Sequence, residues 1–133
     1  AHNVAYAAQA SPHNWKDLMT KVKKALATNG PAYMGIIAPC NRGWRTQTND
    51  SILLSRMAVD TCYWPLYEVE GGKWTINYDP KDRKKPVAEW LKPQGRFKHL
   101  FAPGNEALLA RFQELVDQDW ESLQKMAAAF GTK

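Results

Sequence analysis

Two short apolar runs, Val4–Ala8 and Ala32–Ala38, flank a single amphipathic helix pattern, and this arrangement constrains the fold most strongly. Strands joined through a helical crossover lie parallel, because the crossover returns the second strand in the direction of the first. Ser11 offers a hydroxyl to cap the helix, and Pro12 suits its first position, where a missing N–H has no partner to lose. Trp15, Leu18, Met19, Val22 and Leu26 then recur at helical spacing, with Lys16, Lys23 and Lys24 on the opposite side. Asn29 and Gly30 stop the helix, and Pro31 prevents its continuation. The expected unit is β-α-β in a parallel sheet with both edges open, the end of a larger α/β domain. The start AHNVAYAAQA has the small residues of a signal-peptide cleavage region, but neither a basic start nor a long apolar stretch, and reads as an interior strand.

A different pattern follows, so the expected division is 1–48 and 49–133. Asn49 or Asp50 caps a short helix through about Asp60, with Ile52, Leu53, Arg56 and Val59 as its repeating face. Gly71-Gly72 then predicts a hairpin that sets Glu70 against Lys73, Val69 against Trp74 and Tyr67 against Ile76. That register puts Tyr67, Val69, Trp74, Ile76 and Tyr78 on one face and Glu68, Glu70, Lys73, Thr75 and Asn77 on the other. A short helix over Val87–Leu91 ends before Pro93. A long helix starts at Asn105, with Leu108, Leu109, Phe112, Leu115, Val116, Leu123 and Phe130 as its apolar stripe.

Composition narrows the chemistry. At 133 residues and 44% hydrophobic content, with six Trp, the chain can bury a core. No apolar run approaches the roughly 18 residues of a membrane span, so a soluble protein is expected. The net charge of +5 favours an acidic partner: nucleic acid, an acidic protein or a neighbouring subunit. Basic clusters lie at Lys81–Lys85 and at Lys92, Arg96 and Lys98. His2, His13 and His99 are scattered without a catalytic partner at helical spacing. No phosphate-binding glycine loop, GxSxG or HExxH occurs, so no complete active site is expected. Cys40 and Cys62 are too few for a disulfide scaffold. Cys40 stands at a strand exit beside Gly43, Arg42 and Arg45, where open parallel sheets place ligands; it reads either as a functional thiol or as a small packing residue. Cys62, inside DTCYWPLY, reads as packing.

Four segments in order resemble the beta subunits of the 2-oxoacid:ferredoxin oxidoreductases, the pyruvate enzyme among them: AHNVAYAAQAS, GPAYMGIIAPCNRGWR, AVDTCYWPLYEVEGGKWTINY and KKPVAEWLKPQGRFKHLF. The resemblance implies that residues 1–48 end a thiamine diphosphate-binding α/β domain and that 49–133 form a C-terminal extension of helices and a β-hairpin. It implies oxidative decarboxylation of pyruvate or a related 2-oxoacid to acetyl-CoA and CO2, with electrons passing through iron–sulfur clusters to ferredoxin. The implied cofactors are thiamine diphosphate, Mg2+ and a 4Fe–4S cluster. The implied partners are the remainder of the subunit, the other subunits, ferredoxin, coenzyme A and the 2-oxoacid, in the cytoplasm, without nucleic acid or membrane. The family's GDG-containing diphosphate segment is absent, so this chain alone is expected to be inactive and to hold none of these cofactors. Cys40 matches the family's last cluster cysteine, which implies a 4Fe–4S ligand whose companions lie outside this chain. Cys62 stands where the family often has Gly and is not assigned to iron. The alternative reading is a basic binding module for nucleic acid or an acidic protein. The two differ in whether a GDG segment and three further cysteines precede Ala1, and in whether the chain binds nucleic acid in a salt-sensitive manner.

Overall fold

The computed structural model describes residues 4–131. Its backbone forms a mixed four-stranded sheet between helices, an α/β fold. Strand β1 (Tyr6–Ala10) leads through helix α1 (Trp15–Ala27) to the parallel strand β2 (Ala32–Ile36). Helices α2 (Asn41–Trp44) and α3 (Ser51–Asp60) follow, then the hairpin of β3 (Tyr67–Glu70) and β4 (Lys73–Ile76). Helix α4 (Val87–Leu91) and the long α5 (Glu106–Phe130) complete the chain.

The hairpin has the expected register, with Glu70 opposite Lys73, Val69 opposite Trp74 and Tyr67 opposite Ile76. Gly71 and Gly72 both have positive φ, 58° and 81°, as the two-residue turn demands. The sheet order is β2-β1-β3-β4, with β3 antiparallel to β1. This corrects the expectation of a βαβ unit open at both edges: the hairpin pairs the second side of β1, whose backbone groups would otherwise lack partners. Strand β1 also runs two residues later than expected, because its pairing with β3 spans Tyr6 to Gln9.

Ser11 does not cap α1. A 3-10 turn over Pro12–Asn14 intervenes, and the Asn14 side chain caps α1 by accepting from the Asp17 N–H at 3.3 Å. The Ser11 hydroxyl instead lies 2.8 Å from His13 Nδ1 and 3.4 Å from the Ser55 carbonyl.

The apolar stripe of α1 is not its buried face. Trp15, Met19 and Leu26 are exposed, Leu26 to 83%, whereas Lys21 is 1% exposed. Lys21 runs its stem over β1 and donates to the Gln9 carbonyl and to Asp17, both at 2.8 Å. Beside it Glu68, expected on a solvated face, is buried under α1. Its carboxylate accepts from Tyr6 Oη at 2.7 Å, Lys24 Nζ at 2.8 Å and Asn77 Nδ2 at 3.3 Å. Burial pushes the Glu68 carboxyl up, but these donors outweigh it and hold the carboxyl below its ordinary value.

The main core lies on the other side of the sheet, where Leu54 and Ala58 of α3, Trp90 and Leu91 of α4, and Val116, Trp120 and Leu123 of α5 meet. Tyr67, Trp74 and Ile76 pack against it from the hairpin, as the predicted apolar face requires. Two stripes need correction. Helix α3 buries Leu54, Ser55, Ala58 and Val59, leaving Ile52 and Leu53 exposed, because its contact with α4 and the 3-10 turn selects the adjacent face. Helix α5 buries Trp120 with Val116 and Leu123, while Leu108, Leu115 and Phe130 stay exposed.

Candidate functional site

Strand β2 delivers the chain to Cys40. Ile37 is buried in the core and donates its N–H to the Ala10 carbonyl at 3.3 Å, which fixes the strand exit. After Ala38 and Pro39, Cys40 occupies the capping position of α2 with extended backbone angles, φ −105° and ψ 108°. Its sulfur is exposed and accepts the Gly43 N–H at 3.3 Å. Serine, threonine and aspartate use this geometry to cap helices, and here a thiol takes the place. The Trp44 N–H donates to the Cys40 carbonyl at 2.8 Å, and Arg45 ends the turn in the left-handed region at φ 55°. The sequence signal for the sulfur contact was present, a glycine three residues after the cysteine.

A second segment holds this turn in place. Gly95 donates its N–H to the Arg45 carbonyl at 3.1 Å, and a Cβ on Gly95 would lie 2.7 Å from the Arg45 Cβ. The Arg96 guanidinium sits 4.1 Å over the Trp44 ring and 4.6 Å over Phe97. Buried Gln94 aims it, accepting from Arg96 Nε at 2.9 Å and donating to the Trp90 carbonyl at 2.6 Å. Nothing in the local sequence announces this pairing, which joins residues some fifty positions apart.

Cys62 is buried in the core cluster, at φ 59°, and burial pushes its thiol up to about 12. It is a poor nucleophile and a poor ligand. His2 lies outside the described residues. His13 lies beside the Ser11 hydroxyl, and burial lowers its imidazole. His99 is exposed near Arg45 and Lys98. Among the described residues no three His, Cys, Asp or Glu side chains converge as metal ligands. An apolar cleft of about 530 Å3 between sheet and α5, lined by Tyr63, Tyr67, Trp74 and Phe112, shares no residue with the Cys40 turn. No helix among the described residues is long and apolar enough to cross a membrane.

No protein-family model matches the chain. Similar proteins include the ketoisovalerate oxidoreductase subunit VorB of Pyrococcus horikoshii, 46% identical over 132 residues, which covers 98% of this chain and 41% of the relative. The pyruvate synthase subunit PorB of Thermotoga maritima is 43% identical over 124 residues, 92% of this chain and 38% of the relative. PorB of Methanothermobacter thermautotrophicus is 44% identical over 124 residues, 93% of this chain and 41% of the relative. The chain thus spans about two fifths of the length of the curated relatives it matches. With this identity along almost its whole length, the chain belongs to the family of VorB and PorB, the beta subunits of the 2-oxoacid:ferredoxin oxidoreductases.

Proposed function

We propose that this chain is the C-terminal part of a beta subunit that oxidatively decarboxylates pyruvate or a related 2-oxoacid, and that Cys40 supplies one of four thiolates to its 4Fe–4S cluster. One observation carries the reading. The Cys40 sulfur is exposed at the exit of a parallel strand and faces a backbone donor, while the second cysteine is buried and inert. The names of the relatives, ketoisovalerate oxidoreductase and pyruvate synthase, support the substrate class.

The donor set fits a shared site. A four-thiolate cluster needs three ligands beyond this chain, and its iron takes a soft anionic sulfur of the kind Cys40 offers. Thiamine diphosphate and Mg2+ belong, in this reading, to the rest of the subunit. When bound, the thiamine supplies the carbanion chemistry of decarboxylation and the cluster an electron sink. This chain's residues hold the ligand in position. Buried Ile37 anchors the strand exit, the Gly43 N–H donates to the sulfur and tunes its electron density, and the Gly95–Arg45 contact braces the turn. The proposed partners are the other subunits, ferredoxin and coenzyme A, in the cytoplasm, and the chain alone is inactive.

The test is Cys40→Ala in the assembled enzyme. Iron content and the electron paramagnetic resonance signal of the reduced cluster should fall, together with turnover. A full iron complement with normal turnover would remove Cys40 from the ligand set.

A further inference from the structure

The guanidinium of Arg96 is fixed beside the Cys40 turn by groups of this chain. Fully buried Gln94 donates its amide N–H to the Trp90 carbonyl at 2.6 Å, which leaves its oxygen to accept from Arg96 Nε at 2.9 Å. The orientation of the amide is settled by its partners, since a carbonyl can only accept and a guanidinium can only donate. The planar cation then lies 4.1 Å over Trp44 and 4.6 Å over Phe97, with Trp90 at 6.0 Å. Trp90 is fully buried and meets Trp44 edge-on at 5.9 Å, so the platform is itself anchored in the core. Trp44 is also the residue whose N–H donates to the Cys40 carbonyl, so one helical turn separates the stacked ring from the cysteine. No carboxylate occurs between Asp17 and Asp50 or between Glu89 and Glu106, and among the described residues Arg96 makes no ion pair.

We infer that Arg96, aimed by Gln94, is a positioned charge that raises the reduction potential of the cluster held at Cys40; the inference rests on the cluster reading above. Reduction adds one electron and makes the cluster one unit more negative, with no bond formed or broken and no proton taken up. In the enzyme that electron comes from the oxidised 2-oxoacid. A nearby cation stabilises the reduced form more than the oxidised one, and the charge around a cluster is one of the levers on its potential. Position decides how much a given cation contributes. A side chain free in water is screened within about 8 Å at physiological salt, whereas a half-buried guanidinium stacked on rings and bonded at Nε keeps one place and is screened less. Lys98, two residues on, is exposed and carries the same charge without that hold.

The test is a reductive titration of the assembled enzyme with dithionite, following the electron paramagnetic resonance signal that Cys40→Ala abolishes. At a fixed potential Arg96→Gln should lower the ratio of reduced to oxidised cluster on the order of tenfold, the effect of one charge on the order of 10 Å away at an effective dielectric constant of about 20. For a one-electron couple that is a midpoint about 59 mV lower. Gln94→Glu leaves the stack in place and sets a neutralising carboxylate on Arg96, so it should lower the midpoint as well. Lys98→Gln removes an equal charge from an exposed side chain and should shift it much less. Iron content and line shape should stay those of the parent enzyme. An unmoved midpoint in an iron-replete Arg96→Gln or Gln94→Glu enzyme would overturn the inference, and so would an equal shift in Lys98→Gln. Loss of iron from both variants would also overturn it, because Arg96 would then be a structural brace. Full iron in Cys40→Ala would sink the cluster reading itself, by a measurement in which Arg96 takes no part.

Discussion

The buried carboxylate of Glu68 is the clearest place to test how this fold is held. Its three donors differ in what they lose when it is removed. Tyr6 is fully buried, so in Glu68→Ala its hydroxyl is left without a partner, at a cost of about 1–3 kcal/mol. Lys24 is about a third exposed at its side chain and turns to water, so its share is nearer the ~0.5–1 kcal/mol of a surface pair. Glu68→Ala should therefore cost about 3 kcal/mol in all. Tyr6→Phe removes one donor from a carboxylate that keeps two others and should cost about 1–1.5 kcal/mol. The double variant orphans no hydroxyl, so its loss should fall short of the sum of the single losses by at least ~1 kcal/mol. Equilibrium urea unfolding measures all three. Strict additivity would refute the account, since it would mean that the Tyr6 hydroxyl finds another partner. The acid limb gives a second readout. The folded carboxyl titrates below its unfolded counterpart, so the folded state binds fewer protons between the two values. The resulting stability is complete above the ordinary carboxylate range and disappears as pH falls through and below it. Glu68→Gln should flatten that part of the profile.

Two further outcomes follow from the turn at Cys40 and the segment that braces it. In native buffer one thiol, Cys40, should react with iodoacetamide, while Cys62 should require unfolding, because it is buried with its thiol pushed up to about 12; prior modification of Cys62 would reverse the placement of both. Gly95→Ala sets a methyl 2.7 Å from the Arg45 Cβ and 3.1 Å from its carbonyl oxygen, so the two segments must part, at about 1–3 kcal/mol. Trp44 fluorescence should shift as the Arg96 stack loosens, and an unchanged unfolding midpoint would show that the contact yields freely.

The parts legible in the sequence were those fixed by neighbours in the chain. Gly71-Gly72 determines the hairpin register locally, and the span of α4 and the start of α5 follow from Pro93 and Asn105. The strand exit and the exposure of Cys40 followed from the apolar run ending at Pro39. Periodicity names the residues that share a helix face but not the surface that covers it. Hence the α1 stripe read as buried, although Lys21 and Lys24 face β1 and β3, and Trp120 escaped notice among the charges of α5. The brace on the Cys40 turn joins Arg45 to Gly95 and leaves no periodic trace, because a tertiary contact of that range is written in no single window.

The sheet order also sets how far apart in the chain the paired strands lie. The hairpin closes on itself across two residues, within the roughly 1–10 μs typical of such elements. β1 finds β2 across the α1 crossover, with Ala10 beside Ile36, but reaches β3 only when Gln9 meets Tyr67. That separation is about twice as long and costs about 0.6 kcal/mol more in chain entropy. The β1–β3 pairing is thus the contact of longest range in the sheet, and it couples the β1–α1–β2 unit to the hairpin. Trp64 reinforces that pairing, donating its indole N–H to the Ala10 carbonyl at 2.9 Å, at the end of β1. The segment that presents Cys40 and the segment that braces it lie on opposite sides of that junction in the chain, so the geometry of the cysteine turn depends on a long-range pairing rather than on its own loop alone.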